Sequence, residues 1–84
     1  MSRDDMFLVD ILESAKIALD YMAGKTWDQF YEDMQCQDAV LRRIEIIGEA
    51  AANVSPAFKS AHAHVEWKKI SGTPKPAHPR LFQR

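Results

Sequence analysis

Apolar positions recur along this chain at spacings of three and four, the period of a helix that buries one face. Leu8, Ile11, Leu12, Ala15, Ala18, Leu19 and Met22 predict an amphipathic helix over residues 4–22, with Ser2 and Asp5 set as a capping pair at its start. Gly24 is placed to end that helix in a left-handed cap. Thr26 and Gln29 then have capping-box spacing, and Trp27, Phe30, Tyr31 and Met34 form a short aromatic face whose simplest role is core packing.

The strongest periodicity runs over residues 37–54, where Val40, Leu41, Ile44, Ile47, Gly48, Ala51 and Val54 make a wide apolar stripe. Asp38 and Arg42 stand four apart as a supporting acid-before-base pair. Gly48 costs helix stability, by about 1 kcal/mol against alanine, so close approach of another helix is expected there. Ser55-Pro56 is a helix-start signal for a short helix over 56–64 carrying Phe58 and Ala61. Trp67 and Ile70 anchor the start of a further helix, and Gly72 follows it. Every element predicted along the chain is a helix, so the expected fold class is all-α.

Composition narrows this picture. Eighty-four residues make one domain. A chain of that size buries only about 60% of its unfolded surface, so oligomerisation is an expected remedy for a thin core. The single cysteine, Cys36, allows no internal disulfide and fits a reducing compartment. No run of roughly 20 apolar residues is present and the N-terminus has no signal-peptide pattern, which points to a cytoplasmic protein without a membrane association. His62 and His64 form an H-x-H pair, but two histidines are a poor zinc set, and neither metal nor cofactor is expected. Net charge is −1, yet the last acidic residue is Glu66, and Lys68, Lys69, Lys75, Arg80 and Arg84 follow unbalanced. Such a tail can attract phosphates, although its first reading is a solvated end.

Asp10-Ile11-Leu12-Glu13, Thr26-Trp27-Asp28-Gln29-Phe30 and Gln37-Asp38-Ala39-Val40 follow one another in an order that resembles the HepT-like HEPN toxins. The most specific part of the resemblance is Arg43-Ile44-Glu45-Ile46-Ile47-Gly48-Glu49-Ala50-Ala51, supported by Val65-Glu66-Trp67-Lys68-Lys69-Ile70-Ser71-Gly72, which is similar to the "W-x-x-I-x-G" lead-in to the family's catalytic helix. It implies a HEPN-type bundle of up-down helices that forms a homodimer or higher oligomer. It implies a metal-independent endoribonuclease acting on RNA as the toxin of a toxin–antitoxin system, with an MntA-type nucleotidyltransferase as antitoxin. The family signature after this segment is an Arg, four to six residues, and a His, often with a Tyr two residues on. The arginine suits phosphate binding and charge stabilisation, and the histidine suits proton transfer near neutral pH.

After Gly72-Thr73 this chain departs from the pattern. It reads Pro74-Lys75-Pro76-Ala77-His78-Pro79-Arg80-Leu81-Phe82-Gln83-Arg84. Pro74 stands where the family has its arginine and Pro79 where the histidine should be, while His78 and Arg80 occur in reverse order as weak substitutes. Three prolines in this run forbid the helix that would display the motif. The expectation is therefore an incomplete HepT-like domain over 1–73, an aberrant disordered tail over 74–84, no intact catalytic pair, and no last helix of the family. A one-base frameshift accounts for this: codons can be chosen for Pro74 through Arg84 that, one base later, read Arg-Asn-Arg-Leu-Thr-His-Gly-Tyr-Phe-Asn, an Arg-x4-His-x-Tyr motif in register.

Four functions remain open on the sequence alone. They are an inactive toxin, a non-catalytic module for dimerisation or antitoxin binding, residual cleavage by His78 and Arg80, and a helical interaction domain with no ribonuclease ancestry.

Overall fold

The computed structural model describes residues 2–72, and every regular element among them is helical. The elements are α1 (Arg3–Met22), α2 (Trp27–Glu32), α3 (Met34–Asn53), α4 (Pro56–Ala61) and α5 (Trp67–Ser71).

Local chemistry sets the helix starts. At α1 the Ser2 hydroxyl accepts from the Asp5 N–H at 3.0 Å while the Asp5 carboxylate accepts from the Ser2 N–H, which closes the capping box. Thr26 and Gln29 do the same for α2, at 3.1 and 2.9 Å. Helix α3 begins three residues before the expected Gln37, because the Asp33 carboxylate takes the Cys36 N–H at 3.0 Å and serves as its N-cap. The Gln37 side chain then donates back to the Phe30 and Tyr31 carbonyls at 2.9 and 2.7 Å, so α2 ends on side-chain amide bonds.

The end of α1 differs from the expected cap. Ala23 is extended (φ −59, ψ 132), Gly24 has φ 75, and the Lys25 N–H donates to the Met22 carbonyl at 3.1 Å. These are the angles of a type II turn, which needs a positive φ at its third residue. The helix α4 is shorter than expected, ending at Ala61 with His62 as its C-cap.

Helices α1 and α3 form the body of the bundle and lie antiparallel. Two long-range contacts fix their register. At one end the Ser55 N–H and hydroxyl donate to the Asp4 carboxylate at 2.9 and 2.6 Å. At the other the Cys36 thiol donates to the Tyr21 carbonyl at 3.4 Å. Phe30, Cys36 and Val40 form the buried cluster, with Ala18 and Ile44 packed on it, and Gly48, Ala50, Ala51 and Val54 continue the buried face of α3.

The facing side of α1 includes a residue that periodicity does not select. Ser14 is only 3% exposed, whereas Leu12 and Leu19, expected in the core, are 70% and 68% exposed. The buried face of α1 is centred on Phe7, Ile11, Ser14 and Ala18, and the two leucines sit on its flank. Within the aromatic segment, Phe30 is the core residue, while Trp27 stays outside, touching the rings of Phe30 and Tyr31, and Met34 is also exposed. Arg42 lies 3.9 Å from Glu45, an ion pair other than the one read from the sequence.

Candidate functional site

The family-like lead-in, Val65 to Gly72, forms α5 and the turn before it, and this turn–helix unit packs on α3. Its geometry is built from the inside of the α4–α5 corner. The Val65 N–H donates to the His62 carbonyl at 3.1 Å, and the Trp67 indole N–H donates to the same carbonyl at 3.0 Å. One carbonyl thus ties the C-terminus of α4 to the first residue of α5. Glu66 precedes α5 without a side-chain cap, and its carboxylate instead pairs with Lys69 at 2.6 Å.

At the far end of α5 the Ser71 hydroxyl donates to the Trp67 carbonyl at 2.9 Å, and the Gly72 N–H donates to the Lys68 carbonyl, also at 2.9 Å. Glycine at position 72 has a steric cause. A Cβ there would lie 2.8 Å from the Lys68 carbonyl oxygen, a backbone atom with little room to move. The backbone is therefore drawn tightly over the last turn of α5 just before residue 73.

Around this unit the rings are in contact. Phe58 stacks on His62 with centroids 4.3 Å apart, Trp67 meets Phe58 edge-on at 6.1 Å, and His64 meets His62 at 5.9 Å. Lys59 Nζ lies 6.0 Å from the centre of the Trp67 ring. Sequence reading separated these residues into a short helix, two surface histidines and an anchor. The Phe58–His62 contact is an ordinary pair four residues apart, but the approach of Trp67 to Phe58 and Lys59 depends on the turn between α4 and α5, which no spacing rule reports.

The sequence-derived site positions Pro74, His78, Pro79 and Arg80 lie outside the described residues. No group of three or more potential metal ligands exists among the described residues. None of the described helices is long and apolar enough to cross a membrane.

The antiparallel α1–α3 pair, the capped α2 and the α5 lead-in together define an all-α bundle of the HEPN type. The sequence model of the ribonuclease HepT-like family matches residues 11–73, and the chain belongs to that family. Relatives include a gamma-glutamylcyclotransferase and candidate RNase of Methanocaldococcus jannaschii, 42% identical over 66 residues, 79% of this chain and 30% of the relative. A second candidate RNase of that organism is 42% identical over 77% of this chain and 54% of its own length. A candidate HepT ribonuclease of Thermococcus cleftensis is 32% identical over 77% of this chain and 59% of its own length. The chain thus spans less than two thirds of each of these relatives. No solved structure matches it.

Proposed function

We propose that this chain is the helical scaffold of a HepT-like ribonuclease toxin that does not cleave RNA, and that its remaining role is association with a second copy and with a nucleotidyltransferase antitoxin. The observation that carries the proposal is the sequence that follows the α5 lead-in. The family match runs to residue 73, and Pro74-Lys75-Pro76-Ala77-His78-Pro79-Arg80 then replaces the Arg-x4-6-His signature. His78 and Arg80 stand in the wrong order and beside proline, a poor setting for a pair that catalysis requires to be held within about 0.5 Å. In this reading 1–73 is the family domain, 74–84 has no evolved role, and a one-base frameshift produced the tail. An active ribonuclease without its antitoxin would select for such a lesion.

Association is supported by what α1 leaves uncovered. Met6, Leu12 and Leu19 are more than half exposed, as are Trp27 and Met34 near the other end of the helix. Exposed apolar patches of this kind favour self-assembly.

The test is incubation of the purified full chain with RNA in EDTA. The expected result is no cleavage. Cleavage that disappears in His78→Ala would overturn the proposal. The frameshift is tested separately by the encoding DNA: if codons 74 to 84 do not yield Arg-x4-His-x-Tyr in the other frame, that explanation falls.

A further inference from the structure

We infer that the α4–α5 corner is a stacking platform for the unpaired bases of single-stranded RNA, separate from the Arg-x4-6-His chemistry. The choice of RNA over another polyanion rests on the proposal that this chain is the scaffold of a HepT-like ribonuclease; the platform itself rests on charge and ring geometry.

The charge of the chain is distributed unevenly. Residues 2–54 carry eleven Asp and Glu against five Lys and Arg, whereas residues 55–72 carry Lys59, Lys68 and Lys69 against Glu66 alone. That one acid is engaged by Lys69. The Asp4 carboxylate also reaches this end of α4, held on Ser55, and the lysines still outnumber the acids there; a net cationic corner on an anionic body attracts a negatively charged polymer and repels it elsewhere. The rings supply the second half of the argument. Phe58, His62 and His64 follow one another in contact, with Phe58 half-buried as the base of the row and the two imidazoles exposed at its outer end. Aromatic rings backed by lysines are the combination that binds single strands without sequence preference, bases on rings and phosphates on ammonium groups.

Packing explains part of this cluster and leaves part unexplained. Phe58 and Trp67 hold the corner together, and the Trp67 indole N–H is used internally on the His62 carbonyl. The His62 ring stacks on Phe58 yet stays exposed, whereas the exposed side chains of His64 and Lys68 take no part in holding the corner.

The test is fluorescence anisotropy of a labelled 12-residue uridine oligonucleotide with the full chain at about 50 mM salt, where phosphate contacts are strongest. His62→Ala is expected to weaken binding about five-fold or more, the loss of one stacked base. Lys68→Glu is expected to weaken binding and flatten the salt dependence by about one contact. Lys16→Glu, the same charge change on α1, is expected to leave affinity unchanged. Far-ultraviolet circular dichroism confirms that each variant is folded. Equal weakening by Lys16→Glu and Lys68→Glu would reduce the effect to net charge and overturn the inference. So would binding of an acidic peptide in place of the oligonucleotide, which would make the corner a protein-docking surface. RNA cleavage lost in His78→Ala would overturn the proposed inactivity and leave these binding results standing, so the two failures are distinguishable.

Discussion

Single residues carry the joints of this bundle, and Ser55 carries the most consequential one. Its hydroxyl accepts from the Phe58 N–H as the N-cap of α4 and donates to Asp4 in the first turn of α1. Ser55→Ala removes both at once. A lost N-cap costs about 1 kcal/mol, which in a domain of this size lowers the thermal midpoint by about 4–8 °C, measurable by circular dichroism. The same joint gives an acid dependence. The Ser55 hydroxyl and N–H hold the Asp4 carboxyl below its ordinary value, and the Cys36 N–H with Lys25 does the same for Asp33. A carboxyl whose pKa is lower folded than unfolded stabilises the fold fully above its unfolded value, and that stability fades as pH falls through the folded one. Melting midpoints should therefore fall as pH drops below about 4, and Asp4→Asn should be less stable at neutral pH with a flatter acid limb. An acid limb as steep in Asp4→Asn as in the parent would remove Asp4 from that account. The Ser55–Asp4 bond was not legible in the sequence, because its partners are 51 positions apart.

At the scale of elements, the sequence reveals what a helix needs locally and hides what a neighbour decides. Both capping boxes could be read from spacing, because a cap involves residues three apart. The buried face of α1 could not. Leu8, Ile11, Ala15 and Ala18 fit the periodic stripe, but the close partner α3 shifts the centre of burial to Ser14 and leaves Leu12 and Leu19 outside. A small residue there admits the neighbouring helix, and hydropathy counts serine as surface. The turn after α1 makes a sharper test of element geometry. A Cβ on Gly24 would meet nothing within 4 Å, so any cost of Gly24→Ala comes from its φ of 75 alone. The expected loss is about 1–2 kcal/mol by chemical denaturation with an unchanged slope. Gly72→Ala strains the chain by the other route, since its φ is ordinary and its Cβ would strike the Lys68 carbonyl.

For the whole molecule, the exposed flank of α1 is the surface that bears on assembly. Family membership was legible because its motifs coincide with structural necessities: the buried Gly48, Ala50 and Ala51 on α3, and the tight close of α5 at Gly72. At the α4–α5 corner the Phe58–His62 stack lay within reach of an i,i+4 reading, but the approach of Trp67 to Phe58 did not, since it needs the turn between the two helices. Nor does a sequence say which apolar residues stay exposed, and that exposure bears on assembly. Leu12 and Leu19 lie two turns apart on one side of α1, so they form a single strip and do not project singly in different directions. If this strip is the contact between copies, Leu12→Glu with Leu19→Glu places two carboxylates from each copy in an apolar interface, where unpaired charge is strongly disfavoured. The double variant should then be monomeric by light scattering at concentrations where the parent is a dimer or larger, and its helical signal should be retained because neither side chain contributes to the core. A parent that is already monomeric, or a double variant that still dimerises, would move the association surface away from α1, leaving the Trp27 and Met34 end as the apolar surface to test next.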